Sequence, residues 1–178
     1  MIQKAERIIE AYQKVKPAGC GVIAMDGRAA AGKTTLAEEL AVTLGGAVVH
    51  MDDFFLPGEL RTPERLAAPG GNVHAERFAE EVLPYLRRGE AFRYRRFDCH
   101  RMDYNGWVEI PTVPVIIAEG AYSQYPQFGH YAVISLRKNK SGALPPAMGK
   151  STGWYFGSNG FRWRKSTWQS TISKKMPC

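Results

Sequence analysis

The chain of 178 residues is about the length of one domain and can bury a single sizeable core. Its formal net charge of +7 would ordinarily suggest a nucleic acid or another anionic partner, but the charge is unevenly distributed. Residues 1–134 hold 15 Lys and Arg against 17 Asp and Glu, whereas residues 135–178 hold 9 Lys and Arg and no acid. The basic character therefore belongs to the C-terminal part alone.

The apolar runs, the first residues and the cysteines of the sequence give expectations about where the protein works. It contains no apolar run of the length, about 18 residues, that predicts a membrane span. Residues 1–6 lack the apolar core of a signal peptide. The cysteines, Cys20, Cys99 and Cys178, are too few and too scattered for a metal cage or a disulfide framework. We therefore expect a cytoplasmic protein with reduced thiols and no membrane partner.

The first predicted element is an amphipathic helix over residues 3–16. One face of this helix is apolar and the opposite face is charged; the apolar residues are Ile8, Ile9, Tyr12 and Val15. We expect residues 1–17 to form a structural helix on the flank of a core that spans residues 18–134.

Residues 27–35 fit the phosphate-binding pattern G-x-x-x-x-G-K-[ST] without a mismatch. Such a loop needs glycines where the backbone curls around phosphate oxygens, a lysine that reaches the β- and γ-phosphates, and a hydroxyl that ligates Mg²⁺. A predicted buried strand precedes the loop and a helix over residues 34–44 follows it, so the helix N-terminus points at the phosphates. The predicted ATP-binding residues are Gly27, Ala30, Ala31, Gly32, Lys33, Thr34 and Thr35, with Thr34 also a ligand of Mg²⁺.

Two adjacent carboxylates follow the next predicted strand. Gly45 and Gly46 end the helix, and residues 47–50 form a short buried strand that leads into Asp52 and Asp53. In open α/β sheets, ligands bind at this end of the strands. Adjacent carboxylates can merely cap a turn, but beside a P-loop one of them can accept the proton of an attacking hydroxyl or orient Mg²⁺ through water.

The middle of the chain predicts a loop, a helix and an ambiguous aromatic stretch. Residues 56–72 are rich in Pro, Gly and Arg, which predicts a long loop that is a lid, a binding loop or disordered. Residues 75–88 recover helical spacing, and Pro84 should end or kink that helix. Residues 92–101 interleave aromatic and basic side chains, a pattern that suits nucleic acid, a nucleobase pocket or a solvated edge strand.

A last pair of strands completes the predicted core. Residues 114–120 form a buried strand that ends in Glu119, which occupies the Walker B position in sequence order, where an acid completes the Mg²⁺ shell. Residues 131–134 begin a further strand. Alternating strands and helices predict an α/β fold of the P-loop NTPase class, with a parallel sheet flanked by helices and truncated after the core.

Residues 27–35, 51–55 and 117–123, taken in that order, resemble the uridine kinase and phosphoribulokinase family of P-loop kinases, and bacterial uridine kinase-like proteins above all. The resemblance covers roughly residues 18–133. It implies an enzyme that transfers the γ-phosphate of ATP, with Mg²⁺, to a hydroxyl of a small molecule such as a nucleoside.

The resemblance also assigns roles to single residues. It implies that Lys33 holds the ATP phosphates, Asp52 is the catalytic base and Glu119 assists Thr34 with the metal. The residues it places beside the acceptor are Asp53, Phe54, Tyr94, Phe97, Asp98 and His100. In the family, the acid of an Asn-x-Asp-His-Pro segment binds ribose hydroxyls. At that position this chain has only Asn72-Val73-His74, so the identity of the acceptor stays open.

The tail, residues 135–178, resembles neither the arginine-bearing lid nor the helix that follows the core in this family. A shift of one base permits residues 154–176 to be read as a string that contains Trp-Ile-Pro-Leu-Glu, which resembles the missing helix. We interpret the tail as a frameshifted, unstructured segment; the alternative is a genuine basic, Ser/Gly-rich disordered extension.

Two rival functions remain open at this stage. One is a nucleotide-binding protein without kinase activity, and the other is an RNA-binding protein that uses the basic tail. Nucleic acid is the less favoured partner, because the tail supplies all of the excess positive charge and is itself interpreted as frameshifted. The oligomeric state stays open.

Overall fold

The structure is a computed structural model that describes residues 2–15, 19–27, 30–125, 128, 134–137, 153–157 and 160–164. In chain order its elements are α1 (Ile2–Val15), β1 (Gly21–Asp26), α2 (Lys33–Leu44), β2 (Ala47–His50), two 3-10 turns (Met51–Phe54 and Gly58–Leu60), α3 (Pro63–Ala67), α4 (Ala75–Glu81), α5 (Leu83–Arg88), β3 (Phe92–Asp98), β4 (Asp103–Ile110), β5 (Val115–Glu119), β6 (Ile134–Arg137), β7 (Gly153–Gly157) and β8 (Gly160–Arg164).

The centre of the fold is a four-stranded sheet in the order β2-β5-β1-β6, and every neighbouring pair is parallel. Residues of its two central strands alternate between two apolar clusters. Val22 and Ala24 join the cluster that includes α4, α5 and β3, whereas Ile23 and Met25 join the one that includes α1 and α2. A parallel sheet covered on both faces reads as a continuous apolar run, which is the pattern seen in the sequence. The predicted α/β architecture is confirmed.

Helix α1 packs on the sheet through a face slightly rotated from the predicted one. The buried side chains are Ala5, Ile8 and Ala11, whereas Val15 is 36% exposed. The Tyr12 hydroxyl donates a hydrogen bond to the carbonyl oxygen of Pro114 (3.0 Å). Small alanines allow close approach to the neighbouring helix and strand, which large apolar side chains would prevent. None of the helices among the described residues is long and apolar enough to cross a bilayer.

The segment of residues 56–72 is more ordered than a plain loop. It contains the second 3-10 turn and α3, and the side chain of Thr62 caps α3 by accepting from the amide of Arg65. The amide of Leu56 donates to the carbonyl of Asn72 (2.8 Å), which closes the loop at its neck. The predicted helical break near Pro84 is confirmed, because α4 ends at Glu81 and α5 begins at Leu83.

The segment of residues 92–101 forms β3 of a two-stranded antiparallel hairpin with β4. Buried and exposed side chains alternate from Phe92 to Tyr94, and a register shift between Arg95 and Phe97 then places Phe97 among the buried residues. Strand β4 was not predicted, because seven of its eight residues retain exposure and the apolar signal is weak.

The structure extends beyond the predicted core boundary at residue 134. Strand β6 pairs with β1 as far as Arg137, opposite Asp26. Strands β7 and β8 form an antiparallel hairpin, and β7 lies beside β6. The rest of the predicted tail, and residues 131–133 of the predicted last strand, lie outside the described residues.

Gly71 makes the loop at residues 56–72 sensitive to a single methyl group. A Cβ atom at this position would lie 1.7 Å from the carbonyl oxygen of Arg65. We expect Gly71→Ala to lower the free energy of unfolding by about 1–3 kcal/mol, measured by urea denaturation. Gly58→Ala is the control, because a Cβ there meets nothing within 4 Å. Equal stabilities of the two variants would contradict the described loop.

Candidate active site

The carboxyl ends of three neighbouring strands bring the predicted functional residues together. In the sheet, Glu119 of β5 lies opposite Met25 of β1 on one side and His50 of β2 on the other. The P-loop follows β1, and the acidic turn with Asp52 and Asp53 follows β2. Residues far apart in sequence therefore meet at one edge of the sheet, where ligands bind in folds of this type.

The described part of the P-loop has the backbone of an anion-binding loop. Ala30 and Gly32 both adopt left-handed conformations, with φ of 56° and 74°. Left-handed residues within a turn direct successive amides toward one point, and α2 adds its N-terminal amides, which have no side-chain cap. An alanine with positive φ is strained, and such strain concentrates at functional sites. Arg28 and Ala29 lie outside the described residues.

Lys33, Thr34 and Glu119 lie together beside this loop. A Cβ atom built at Gly27 would lie 3.6 Å from Cδ of Lys33, so the lysine side chain crosses the start of the loop. The Thr34 hydroxyl donates to Oε1 of Glu119 (3.1 Å). Ala31, which precedes Gly32, and Thr35, which follows Thr34, are both exposed. The structure therefore gathers the predicted phosphate and metal residues.

The oxygen donors at this point fit Mg²⁺. Mg²⁺ is a hard cation that usually takes one or two protein oxygens together with phosphates and water. Thr34 and Glu119 supply one hydroxyl and one carboxylate, and they already lie within hydrogen-bond distance of each other. Among the described residues there is no group of three or more His, Cys, Asp or Glu side chains that could enclose a metal.

Sequence reasoning missed His50, which contacts the carboxylate of Glu119. Nδ1 of His50 lies 2.8 Å from Oε1 of Glu119, which is only 4% exposed. The hydrogen bond with Glu119 raises the pKa of His50, against the opposing effect of burial. Burial opposes ionisation of Glu119, but the hydrogen bonds from His50 and Thr34 and the charge of Lys33 outweigh it and lower its pKa. The contact therefore favours the charged forms of both side chains, the arrangement of an ion pair.

The raised pKa of His50 predicts a pH-dependent stability in the absence of nucleotide and metal. The folded state binds the His50 proton more tightly than the unfolded state, so this stabilisation is complete below the ordinary pKa of 6.5 and is lost as pH rises through the folded-state pKa. We expect the difference in unfolding free energy between the natural chain and His50→Gln to be larger near pH 6 than near pH 9. A difference that does not change with pH would contradict the ion pair.

The turn Met51–Phe54 presents its two carboxylates differently. Asp52 is exposed, whereas Asp53 is partly buried. The hydroxyl of Tyr94 donates to Oδ2 of Asp53 (3.0 Å), and Nε of Arg96 lies 3.5 Å from Oδ1. Burial raises the pKa of Asp53, although the Tyr94 hydrogen bond and the charge of Arg96 oppose the shift. Asp53 is thus fixed in place, while Asp52 is open to a ligand.

The predicted acceptor residues divide into three groups. Asp53 and Tyr94 are in contact, but the ring of Tyr94 is buried. Phe54 and Phe97 are only 0% and 3% exposed, so the structure corrects their prediction: both rings lie in the core and are not open to an acceptor. His100 is exposed in the turn between β3 and β4, where its amide donates to Asp98 (2.8 Å).

Comparison with protein-family models finds no match, and comparison with curated proteins finds none either. Solved structures are similar. One is a possible uridine kinase from Bacillus stearothermophilus, with a TM-score of 0.64 and 19% identity over 77% of this chain and 80% of that chain. Another is a candidate fructose transport system kinase from Silicibacter sp. TM1040, with a TM-score of 0.60 and 26% identity over 79% and 74%. This chain has the fold of the P-loop kinases.

Proposed function

We propose that the site is that of an ATP-dependent phosphotransferase, which moves the γ-phosphate of ATP to a hydroxyl of a small molecule in the cytoplasm. The observation that carries this proposal is the meeting of the P-loop, Glu119 and the turn with Asp52 and Asp53 at one edge of the sheet. A nucleotide-binding site alone would not require the exposed carboxylate of Asp52 at the same edge of the sheet as the P-loop. The names of the similar structures support a kinase but leave the acceptor open.

The residues on the nucleotide side bind and orient the phosphates. The P-loop amides and Lys33 hold the β- and γ-phosphates, and Thr34 with Glu119 would hold the metal. When bound, Mg²⁺ neutralises charge on the phosphate oxygens. In such reactions, positioning and electrostatic stabilisation supply most of the catalysis.

The residues on the acceptor side orient the attacking hydroxyl and accept its proton. The exposed Asp52 carboxylate accepts the hydroxyl proton as the oxygen attacks phosphorus. Asp53, held by Tyr94 and Arg96, orients the acceptor through a hydrogen bond. The acceptor is a nucleoside or another hydroxyl compound of similar size.

Removal of the Lys33 charge tests the P-loop assignment directly. We expect Lys33→Ala to weaken Mg·ATP binding about 10- to 100-fold, because a charge-assisted contact with phosphate contributes about 1.5–3 kcal/mol. Isothermal titration calorimetry on the full chain measures this affinity. Lys14→Ala on the exposed face of α1 is the matched control and should bind as the natural chain does. Unchanged affinity in Lys33→Ala would refute the assignment.

Two measurements separate the rival functions. Mg·ATP binding without consumption in the presence of any acceptor would favour a nucleotide-binding protein without kinase activity. RNA binding that weakens steeply with salt, and that disappears when residues 135–178 are removed, would favour an RNA-binding protein.

A further inference from the structure

Helix α4 carries a buried arginine that contacts the main chain of the turn Met51–Phe54. Arg77 is only 2% exposed. Its guanidinium donates to the carbonyl oxygens of Asp53 and Arg95, and at 3.3 Å to Oε2 of Glu81. These acceptors lie on three different elements: the turn Met51–Phe54, strand β3 and helix α4 itself. One side chain therefore joins the turn to the hairpin.

The same turn is held at a second, adjacent point by α4. The amide of His74, which precedes the helix, donates to the carbonyl of Phe54 (2.7 Å). The guanidinium of Arg77 also lies 4.3 Å from the centre of the Phe54 ring. The carbonyls of two consecutive residues of the turn, Asp53 and Phe54, are thus both hydrogen-bonded.

The hairpin of β3 and β4 contacts both Arg77 and Glu81, the acid that accepts a hydrogen bond from Arg77. The Arg95 amide donates to Oε2 of Glu81 (3.0 Å), and Nε of Arg95 donates to Oε1 (2.8 Å). The neighbours of Arg95 in β3 are Tyr94 and Arg96, the two residues that hold the Asp53 carboxylate. The spacing between turn and hairpin, on which the Asp53–Tyr94 contact depends, is therefore set by Arg77.

The chemistry of the contact requires an arginine. Burial disfavours the charged guanidinium and lowers the pKa of Arg77. A buried charge that only packs the core can often be replaced by an apolar side chain without loss. Here the replacement would leave two main-chain carbonyls without their donor, and a lysine lacks the planar fork that reaches both.

We infer that Arg77 is a positioning residue that fixes the turn with Asp52 and Asp53 against β3, so that the carboxylates keep their geometry for phosphoryl transfer. This inference rests on the proposed function. It concerns only the acceptor side, because Arg77 makes no described contact with the P-loop. Nucleotide binding and acceptor-side chemistry should therefore respond differently to its loss.

Hydrogen exchange on the full chain tests the structural half of the inference without any activity. In Arg77→Met, we expect the His74 amide to exchange at least about 10-fold faster relative to the amides of β5, which report global unfolding. Val82→Ala is the control, because Val82 is equally buried after α4 and supplies only apolar contacts to the core. An unchanged ratio in Arg77→Met would overturn the inference.

Steady-state kinetics test the catalytic half of the inference. They use a frame-restored protein, in which the codons after residue 134 are read in the corrected frame. We expect Arg77→Met to lower kcat about 10- to 100-fold with the KM for ATP unchanged, Arg77→Lys to recover only part of the loss, and Val82→Ala to keep kcat. Equal kcat in Arg77→Met and the unsubstituted protein, or equal losses in Arg77→Met and Val82→Ala, would overturn the positioning role. Absence of turnover in the unsubstituted protein would instead refute the proposed function, and the exchange experiment would still test Arg77.

Discussion

Restoring the reading frame after residue 134 should raise kinase turnover by about 10³- to 10⁵-fold over the chain as translated. Phosphoryl transfer depends on cations that stabilise charge on the moving phosphoryl group, and an arginine supplied there has an effect of this size. In the family that the sequence resembles, a lid after the core carries such arginines. In this chain, residues 138–146 stand at that point of the sequence, and they include Gly142 and the pair Pro145-Pro146, residue types that disfavour helices in general.

The same restoration should improve soluble yield. If the tail is frameshifted, as its sequence suggests, it replaces a helix expected to cover part of the sheet, and exposed apolar surface favours aggregation. We expect limited proteolysis of the chain as translated to cut beyond Arg137, the last residue of β6, and to leave the central sheet intact. Sequencing the gene across codons 128–140 identifies the shift itself. Equal turnover of the two proteins, with a protease-resistant tail, would refute the proposed consequence of the frameshift.

Asp52→Asn should lower turnover of the frame-restored protein by about 10²- to 10⁴-fold, the range typical of a lost general base. The amide keeps the size of the side chain but cannot accept the hydroxyl proton. Mg·ATP affinity should stay nearly unchanged, because the described contacts of the nucleotide side run through Thr34 and Glu119. Rates of ATP consumption, measured with saturating nucleotide and acceptor, give the comparison.

Glu59→Gln is the matched control for Asp52→Asn. Glu59 is an exposed acid in the neighbouring loop, and its substitution should leave turnover unchanged. Near-natural turnover in Asp52→Asn would contradict the role of Asp52 as the base. It would indicate Asp53 instead, whose carboxylate accepts a hydrogen bond from the Tyr94 hydroxyl.

The features that were predicted correctly are those encoded by local patterns. The P-loop pattern predicts a tight turn between a strand and a helix, and the apolar runs of β1 and β5 identify strands buried on both faces. Because parallel strands end at a common edge, Glu119 and the acidic turn could be placed beside the P-loop before any contact was known.

The features that were missed depend on tertiary contacts. A register shift between Arg95 and Phe97 interrupts the alternation of β3 and cannot be read from the sequence, so Phe97 was assigned to the acceptor when it belongs to the core. Arg77 sits in a helix whose charged residues are expected to face water, and its burial follows only from the approach of the turn and the hairpin. His50 was read as the end of a strand because its partner, Glu119, is remote in sequence.

Transfer of label from [γ-³²P]ATP tests the proposed phosphotransferase most directly. The frame-restored protein is incubated with Mg²⁺ and, separately, with each member of a panel of nucleosides and vitamins, and the products are resolved by chromatography. The proposed function predicts labelled phosphate on the hydroxyl of at least one acceptor, and no such product with Lys33→Ala. Tight Mg·ATP binding with label that stays in ATP or appears only as inorganic phosphate, whichever acceptor is present, would contradict it.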